Sequence, residues 1–348
     1  MIDELYRQLR QRSNELDIER RWPAQQLKLC AEFGVFRWFV PKVFGGLEWN
    51  ERQQLESYLA ISQACMTTAF VLTQWNAACK RIVASTNEAL RNRLLPGMAS
   101  GEVFTTVGIS HLTTSRQHLA QPAIQASLRG EGGYVLSGVT PWVTGARFSQ
   151  SIVLGATLPD GRQILCALPT HRAGVDCGPG VPLVALTSSC TDEVHLEHVE
   201  VEADEILFGP THHVMQLGSG GASGGLQTSA LAIGLAKAAI GYLGEEAKRR
   251  SELIAVAHKL EHDVQLLQQQ LLSLADGESP VQPIELRQQA NSLVLRATQA
   301  ALAAAKGTGY KQGHDAGRWC REALFFLVWS CPQPVLNASL CELAHLAP

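Results

Sequence analysis

The sequence predicts an α+β chain in three parts: an N-terminal α-helical domain over 1–100, a central β-barrel or sandwich over 101–210, and a C-terminal four-helix bundle over 226–348. Three observations predict it. Apolar residues recur at helical spacing through the first part. Short β-branched runs broken by Gly and Pro then follow at roughly even spacing. Beyond the Gly-rich stretch GSGGASGG the chain returns to an Ala- and Leu-rich helical pattern.

Leu5, Leu9 and Leu16 make one helical stripe, and Leu27, Cys30 and Phe33 a second, which Gly34 ends. Phe39-Val40-Pro41 reads as an extended break and Phe44-Gly45-Gly46 as a turn. Residues 51–80 read as one long buried helix, and Asn87 to Leu95 as another that Pro96-Gly97 stops. The runs VFTTVGIS, AIQASL, YVLSGV, SIVLGATL, QILCALP and EVHLEHVEVE suggest an antiparallel sandwich or barrel. GSGGASGG lacks the Lys and the spacing of a phosphate-binding P-loop and reads as a connector. Helices follow at Leu226–Arg250, Leu253–Leu274, Ile284–Lys306 and Arg318–Trp329.

The chain has 29 Lys and Arg against 32 Asp and Glu, with no long basic block, so no nucleic-acid partner is expected. Its nine Cys form no C-x2-C pair, which argues against zinc and for buried free thiols. The start of the chain reads as a charged amphipathic helix rather than a leader. No uncharged apolar run reaches about 18 residues, so no membrane span is expected and a cytoplasmic location is.

The stretch GEGGYVLSGVTPWVTGARFSQSIVLGA, from Gly130 to Ala156, reads as two strands around a tight turn. Its Trp142-Val143-Thr144 sets an indole two residues from a hydroxyl. That pair offers a flavin ring a flat wall and a hydrogen bond, and a core tryptophan of a β-sandwich accounts for it as well.

Five segments in this order resemble the acyl-CoA dehydrogenase family, over nearly the whole chain: GVFRWFVPKVFGGLEW, RLLPGMASGE, Tyr134 to Ala146, SSCTDEVHLEHVEVEADEIL and KGTGYKQGHDAGRWCREA. The resemblance implies that family's fold and a flavoprotein oxidoreductase binding FAD, or alternatively FMN. It places Thr144 near flavin N5, Trp142 by the ring with Val143 between them, and Thr106, Val107 and Gly108 along the pyrimidine edge. The family usually has a hydroxyl residue where Gly108 stands. Thr114 lies where a phosphate-contacting Ser is usual, in a stretch that has lost its Gly pair. The family's α-proton base, a Glu, falls on Ser330, whose hydroxyl is far too weakly basic. The family's Arg-x-x-Phe-Gly segment is missing after Arg250. Ala303, Lys306, Pro332 and Pro334 replace further dinucleotide contacts.

His111 is a second candidate base, set against an exposed loop histidine. His195 and His198, His212 and His213, and His258 and His262 make no metal site, and none is expected. Glu322 and Asp315 read as structural partners of Arg318 or Arg321. The expected function is dehydrogenation of an acyl thioester or similar small molecule, with the base position altered. The alternatives are a flavin monooxygenase on the same fold and a non-catalytic flavin- or acyl-binding paralogue. A homodimer or homotetramer is expected, because the faces of 226–245, 290–305 and 325–329 need covering.

Overall fold

Helix α1 (Ile2–Glu19) buries Leu5, Leu9 and Leu16, and α2 (Ala24–Glu32) buries Leu27 and Cys30. The computed structural model that shows this describes residues 2–113, 121–130, 132–218, 225–329 and 331–346; Thr114, Ser330 and the middle of the Gly-rich connector lie outside them. The helix expected over 51–80 is two helices, α3 (Glu51–Ala64) and α4 (Met66–Ala84). Cys65 is extended between them, and the Thr68 hydroxyl donates to its sulfur at 3.2 Å, in place of a cap. Helix α5 (Glu88–Ser100) does not stop at Pro96. The proline forfeits one intrahelical bond, and the helix runs on to Gly101 at φ +81°.

The β-domain has eight strands rather than six runs: β1 (Thr105–Gly108), β2 (Ile124–Arg129), β3 (Gly133–Thr144), β4 (Ser151–Thr157), β5 (Gln163–Pro169), β6 (Val175–Cys177), β7 (Thr191–Val201) and β8 (Ile206–Thr211). A one-turn helix, α6 (Ser110–Thr113), follows β1. The order is β6-β7-β3-β2-β4-β5-β8, with β1 parallel to β4. Strands β2 and β4 meet at a single residue pair, Gln125 and Thr157, so the sheet is two four-stranded halves joined at a narrow seam. Ile124, Leu136, Val143, Ile152, Leu154, Ile164 and Val194 form its own core, distinct from the helical one.

Strands β3 and β4 do not pair with each other, contrary to the expected hairpin. The turn between them packs on the α1–α2 link instead. Gly145 sits at φ +64°, and a Cβ there would lie 2.3 Å from the Trp22 ring. No other residue fits that approach.

The C-terminal helices are α7 (Leu226–Ala247), α8 (Ile254–Ala275), α9 (Pro283–Gly309), α10 (Asp315–Ala323), α11 (Phe325–Val328) and α12 (Gln333–Leu343). Helix α7 is long and apolar enough to cross a membrane, but it packs between α3 and α9. At Gly234 an added Cβ would meet the Leu59 carbonyl at 2.5 Å, so this glycine lets α7 and α3 touch backbone to backbone. The apolar faces of 226–245 and 290–305, expected to need a second subunit, are thus mostly used within the chain. Val328, Leu340 and Leu343 remain exposed.

Candidate active site

A break in the β3–β7 ladder creates the site. Thr140 pairs with Val194 and Val143 with Asp192, so β3 carries one residue more than β7 across this interval. Pro141 has no N–H for the ladder, and the surplus falls on Pro141-Trp142. Trp142 takes φ +58°, a left-handed conformation costly for a bulky side chain. Trp142 is 45% exposed, between buried neighbours on β3. The Ser110 hydroxyl donates to the Pro141 carbonyl at 2.9 Å, so α6 holds the bulge from outside.

Trp142 opens into a cavity of about 490 Å³. All three parts of the chain wall it: Phe70 of α4, Ser110 and Thr191 of the β-domain, residues 183–186, and Arg321, Leu324, Phe325, Val328 and Trp329. Two more non-glycine residues with positive φ lie here, Leu186 at +60° and Cys190 at +47°, flanking the short turn before β7. Strained backbone concentrates where ligands bind. Phe325 stacks on Trp329 with centroids 5.4 Å apart, and Phe70 meets both edge-on at 4.9 Å.

That aromatic wall rests on α11, a single turn too short to be stable alone. Helix α9 holds it. The Asn291 amide donates to the Phe326 carbonyl at 2.8 Å, and Arg287 donates to the Trp329 carbonyl at 3.3 Å and to Asn291 Oδ1 at 2.9 Å. Arg287 is buried without a carboxylate partner, one of its nitrogens bonds to nothing, and burial pushes its pKa down to about 10. Arg287 and Asn291 escaped the sequence reading; a lone Arg on a helix gives no sign that it is buried.

The residues singled out in the sequence divide into groups. Trp142 lines the cavity. Val143 is in the β-core, and Val107 packs on the helical core. A Cβ at Gly108 would press on Val143, Thr140 and Ile152 at 3.1–3.3 Å, so a hydroxyl side chain has little room there. The Thr106 hydroxyl is buried with no partner. Thr144 is fully buried, its hydroxyl 2.9 Å from that of Thr191, which is 2.8 Å from Ser189.

His111 is neither a loop residue nor at the cavity. It is buried in α6, with Nε2 3.0 Å from the Gly155 carbonyl and Nδ1 3.2 Å from the Thr140 hydroxyl. A carbonyl only accepts, so Nε2 carries the proton and Nδ1 accepts from Thr140. Both nitrogens are engaged, which leaves no free base. Thr114 and Ser330 lie outside the described residues.

Arg318 and Glu322 are both buried and paired at 3.1 Å, with Asp315 and Asn14 completing the arginine's bonds. Burial raises the Glu322 pKa, and Arg318 opposes that shift. Arg321 forks onto Asp17 at 2.7 and 3.0 Å. Among the described residues lining the cavity there is no carboxylate.

Outside the cavity lining, Arg250 donates to the Ala304 carbonyl at 2.6 Å and to Glu252 at 3.1 Å. The α7–α8 connection there is short. Lys306 breaks α9 at φ 54°, ψ −148°, a region that normally needs glycine. The other paired histidines, at 195 and 198, 212 and 213, and 258 and 262, are exposed, and the described residues contain no group of three metal-binding side chains.

Residues 3–102 match the family model for the acyl-CoA dehydrogenase N-terminal domain. A probable acyl-CoA dehydrogenase, YngJ of Bacillus subtilis (strain 168), is 25% identical over 334 residues, covering 89% of this chain and 87% of that one. Butyryl-CoA dehydrogenase from Megasphaera elsdenii superposes with a TM-score of 0.84 at 16% identity, over 97% of this chain and 95% of that one. The FMN-bound dibenzothiophene monooxygenase TdsC from Paenibacillus sp. A11-2 superposes with a TM-score of 0.82 at 16% identity, over 99% and 96%. Residues 3–102 thus carry an acyl-CoA dehydrogenase N-terminal domain, and the chain as a whole has the fold of butyryl-CoA dehydrogenase.

Proposed function

We propose that this chain is a flavin-dependent oxidoreductase whose flavin ring lies in the cavity against Trp142. The observation that carries the reading is the bulge that forces Trp142 into a left-handed conformation facing a cavity. The spare Thr106 hydroxyl and the Thr144–Thr191–Ser189 cluster fit the polar edge of such a ring. A bound flavin supplies the acceptor for a hydride or for electrons. The chain's own residues then do the rest. Trp142 backs the ring, Phe70, Phe325 and Trp329 exclude water and shape an apolar substrate space, and Asp17 keeps Arg321 from pairing with a ligand.

Removal of an α-proton needs a base, and no carboxylate or free imidazole among the described residues lines the cavity. Dehydrogenation of an acyl thioester would rest on Ser330, so ordinary acyl-CoA dehydrogenase activity is expected to be slight. That acid-free wall favours a second reading, a flavin monooxygenase, which needs no such base. The groups near Arg250 and Lys306 are tied up or strained, so the flavin is held mainly by its ring half, and FAD and FMN bind within about tenfold of each other. The enzyme works in the cytoplasm as at least a homodimer, covering Val328, Leu340 and Leu343.

Titration of the purified chain with FAD and FMN, read by flavin absorbance, tests the proposal. Saturable uptake of either supports it, and failure to take up both leaves the non-catalytic paralogue. With flavin bound, Ser330→Glu is expected to raise turnover of short and medium acyl-CoA substrates with an artificial acceptor. If it does not, oxygen consumption with reduced flavin decides for the monooxygenase.

A further inference from the structure

We infer that Arg287 sets the charge of the cavity from behind its wall, and that this charge favours a reduced, anionic flavin ring there over an oxidised, neutral one. Arg287 has this role only where the flavin lies as proposed above. It touches nothing in the cavity and acts through the wall. Its Nη2 donates to the carbonyl of Trp329, and Trp329 lines the cavity, so the guanidinium lies one residue behind the lining.

Arg287 differs from its neighbours in having no counter-charge. Arg321 forks onto Asp17, and Arg318 is paired with Glu322 and Asp315, so both of those charges are cancelled. Arg287 is 1% exposed and makes no ion pair with a described carboxylate. Its bonds go to neutral oxygens, Asn291 Oδ1 at 2.9 Å and the Trp329 carbonyl at 3.3 Å, and Nη1 bonds to nothing. Burial pushes its pKa down to about 10, which leaves it protonated at neutral pH. The Cys331 thiol is the titratable group that it feels, and burial pushes that thiol's pKa up, so it stays neutral.

A buried cation without a partner is costly, and a fold retains one where an anion repays it. The wall between Arg287 and the cavity is aromatic, and it screens a charge far less than water does. No described carboxylate lines the cavity, so Arg287 gives it a positive potential. A flavin ring is neutral when oxidised and, at mildly alkaline pH, anionic when reduced. Both forms of FMN carry the same side chain and phosphate, so the ratio of their affinities isolates the response to ring charge. A unit charge about 12 Å away, in an effective dielectric of about 20, changes such a ratio about tenfold.

The test titrates oxidised and dithionite-reduced FMN, at mildly alkaline pH, into the wild-type chain, Arg287→Met, Arg287→Lys and Asn291→Leu. Arg287→Met is expected to weaken reduced FMN about tenfold more than oxidised FMN, and Arg287→Lys to return the ratio to within about threefold of wild type. Asn291→Leu breaks the bond to the Phe326 carbonyl and leaves the charge in place, so it should weaken both forms alike. A merely structural arginine predicts that same equal loss for Arg287→Met. Thermal melts of the apo forms show which variants fold. If Arg287→Met does not, Arg287→Gln, neutral and still able to donate to the Trp329 carbonyl, takes its place. Equal losses of both forms in the neutral variant overturn the inference, as does a folded Arg287→Lys that fails to restore the ratio, or an Asn291→Leu that changes it as much. If the wild-type chain takes up no flavin, the flavin reading itself falls, and this role with it.

Discussion

Two regions of this molecule, to both of which the family resemblance assigns cofactor contacts, differ sharply. Around Trp142 the backbone is strained at three non-glycine residues, and the buried Thr106 hydroxyl is left without a partner. Around Arg250 and Lys306 the polar groups are consumed: Arg250 grips the Ala304 carbonyl and Glu252. Unmet hydrogen bonds and uneconomical dihedrals persist where something else repays them. The first region joins its strain to an unpartnered buried hydroxyl and a cavity, whereas the second, though Lys306 is strained too, spends its polar groups within the chain.

The largest effect should come from removing the strained indole. Trp142→Gly is expected to weaken flavin binding by about 2 kcal/mol, roughly 30-fold, while the apo protein stays within about 1 kcal/mol of wild type. Relief of the left-handed strain offsets the lost packing there. Flavin titration beside urea unfolding reads both numbers, and a large loss of apo stability would mean that Trp142 is merely a core residue.

His111→Ala sharpens the comparison from within the β-domain. It strands the Gly155 carbonyl and the Thr140 hydroxyl, and the expected cost is about 2 kcal/mol in urea unfolding. The pH profile of any activity should keep its shape. A lost ionisation in that profile would return His111 to the list of bases.

Lys306→Gly is expected to stabilise the chain by about 1 kcal/mol, since the gain from a relaxed dihedral exceeds the entropy glycine costs. A raised Tm with unchanged flavin affinity fits a region without a ligand. The smallest effect is expected from Arg250→Ala, which should change FAD and FMN affinity by less than about twofold. A tenfold loss for FAD alone would break the comparison, because it would show the arginine leaving Ala304 for the dinucleotide.

The sequence by itself determined the three-part architecture. Helical and strand periodicity are local properties, and Leu5, Leu9 and Leu16 or Leu260, Val264 and Leu267 face inward as their spacing requires. The ordered motifs also marked the stretch that holds Trp142. Helix ends were less legible: whether Pro96 stops a helix or Cys65 splits one depends on contacts with other elements. The site itself came from tertiary structure. The bulge exists because β7 pairs with β3 out of step across Pro141-Trp142, and β7 lies some fifty residues further along the chain. The same distance separates Thr144 from Thr191, so no reading of Trp142-Val143-Thr144 alone reveals that the two hydroxyls meet. His111 looked like a loop histidine because burial is decided by what packs over a residue, and here that is β3 and β4. Periodicity fixes which way a side chain points from its own element. Only the meeting of distant elements fixes whether it finds a partner, a core or an open cavity.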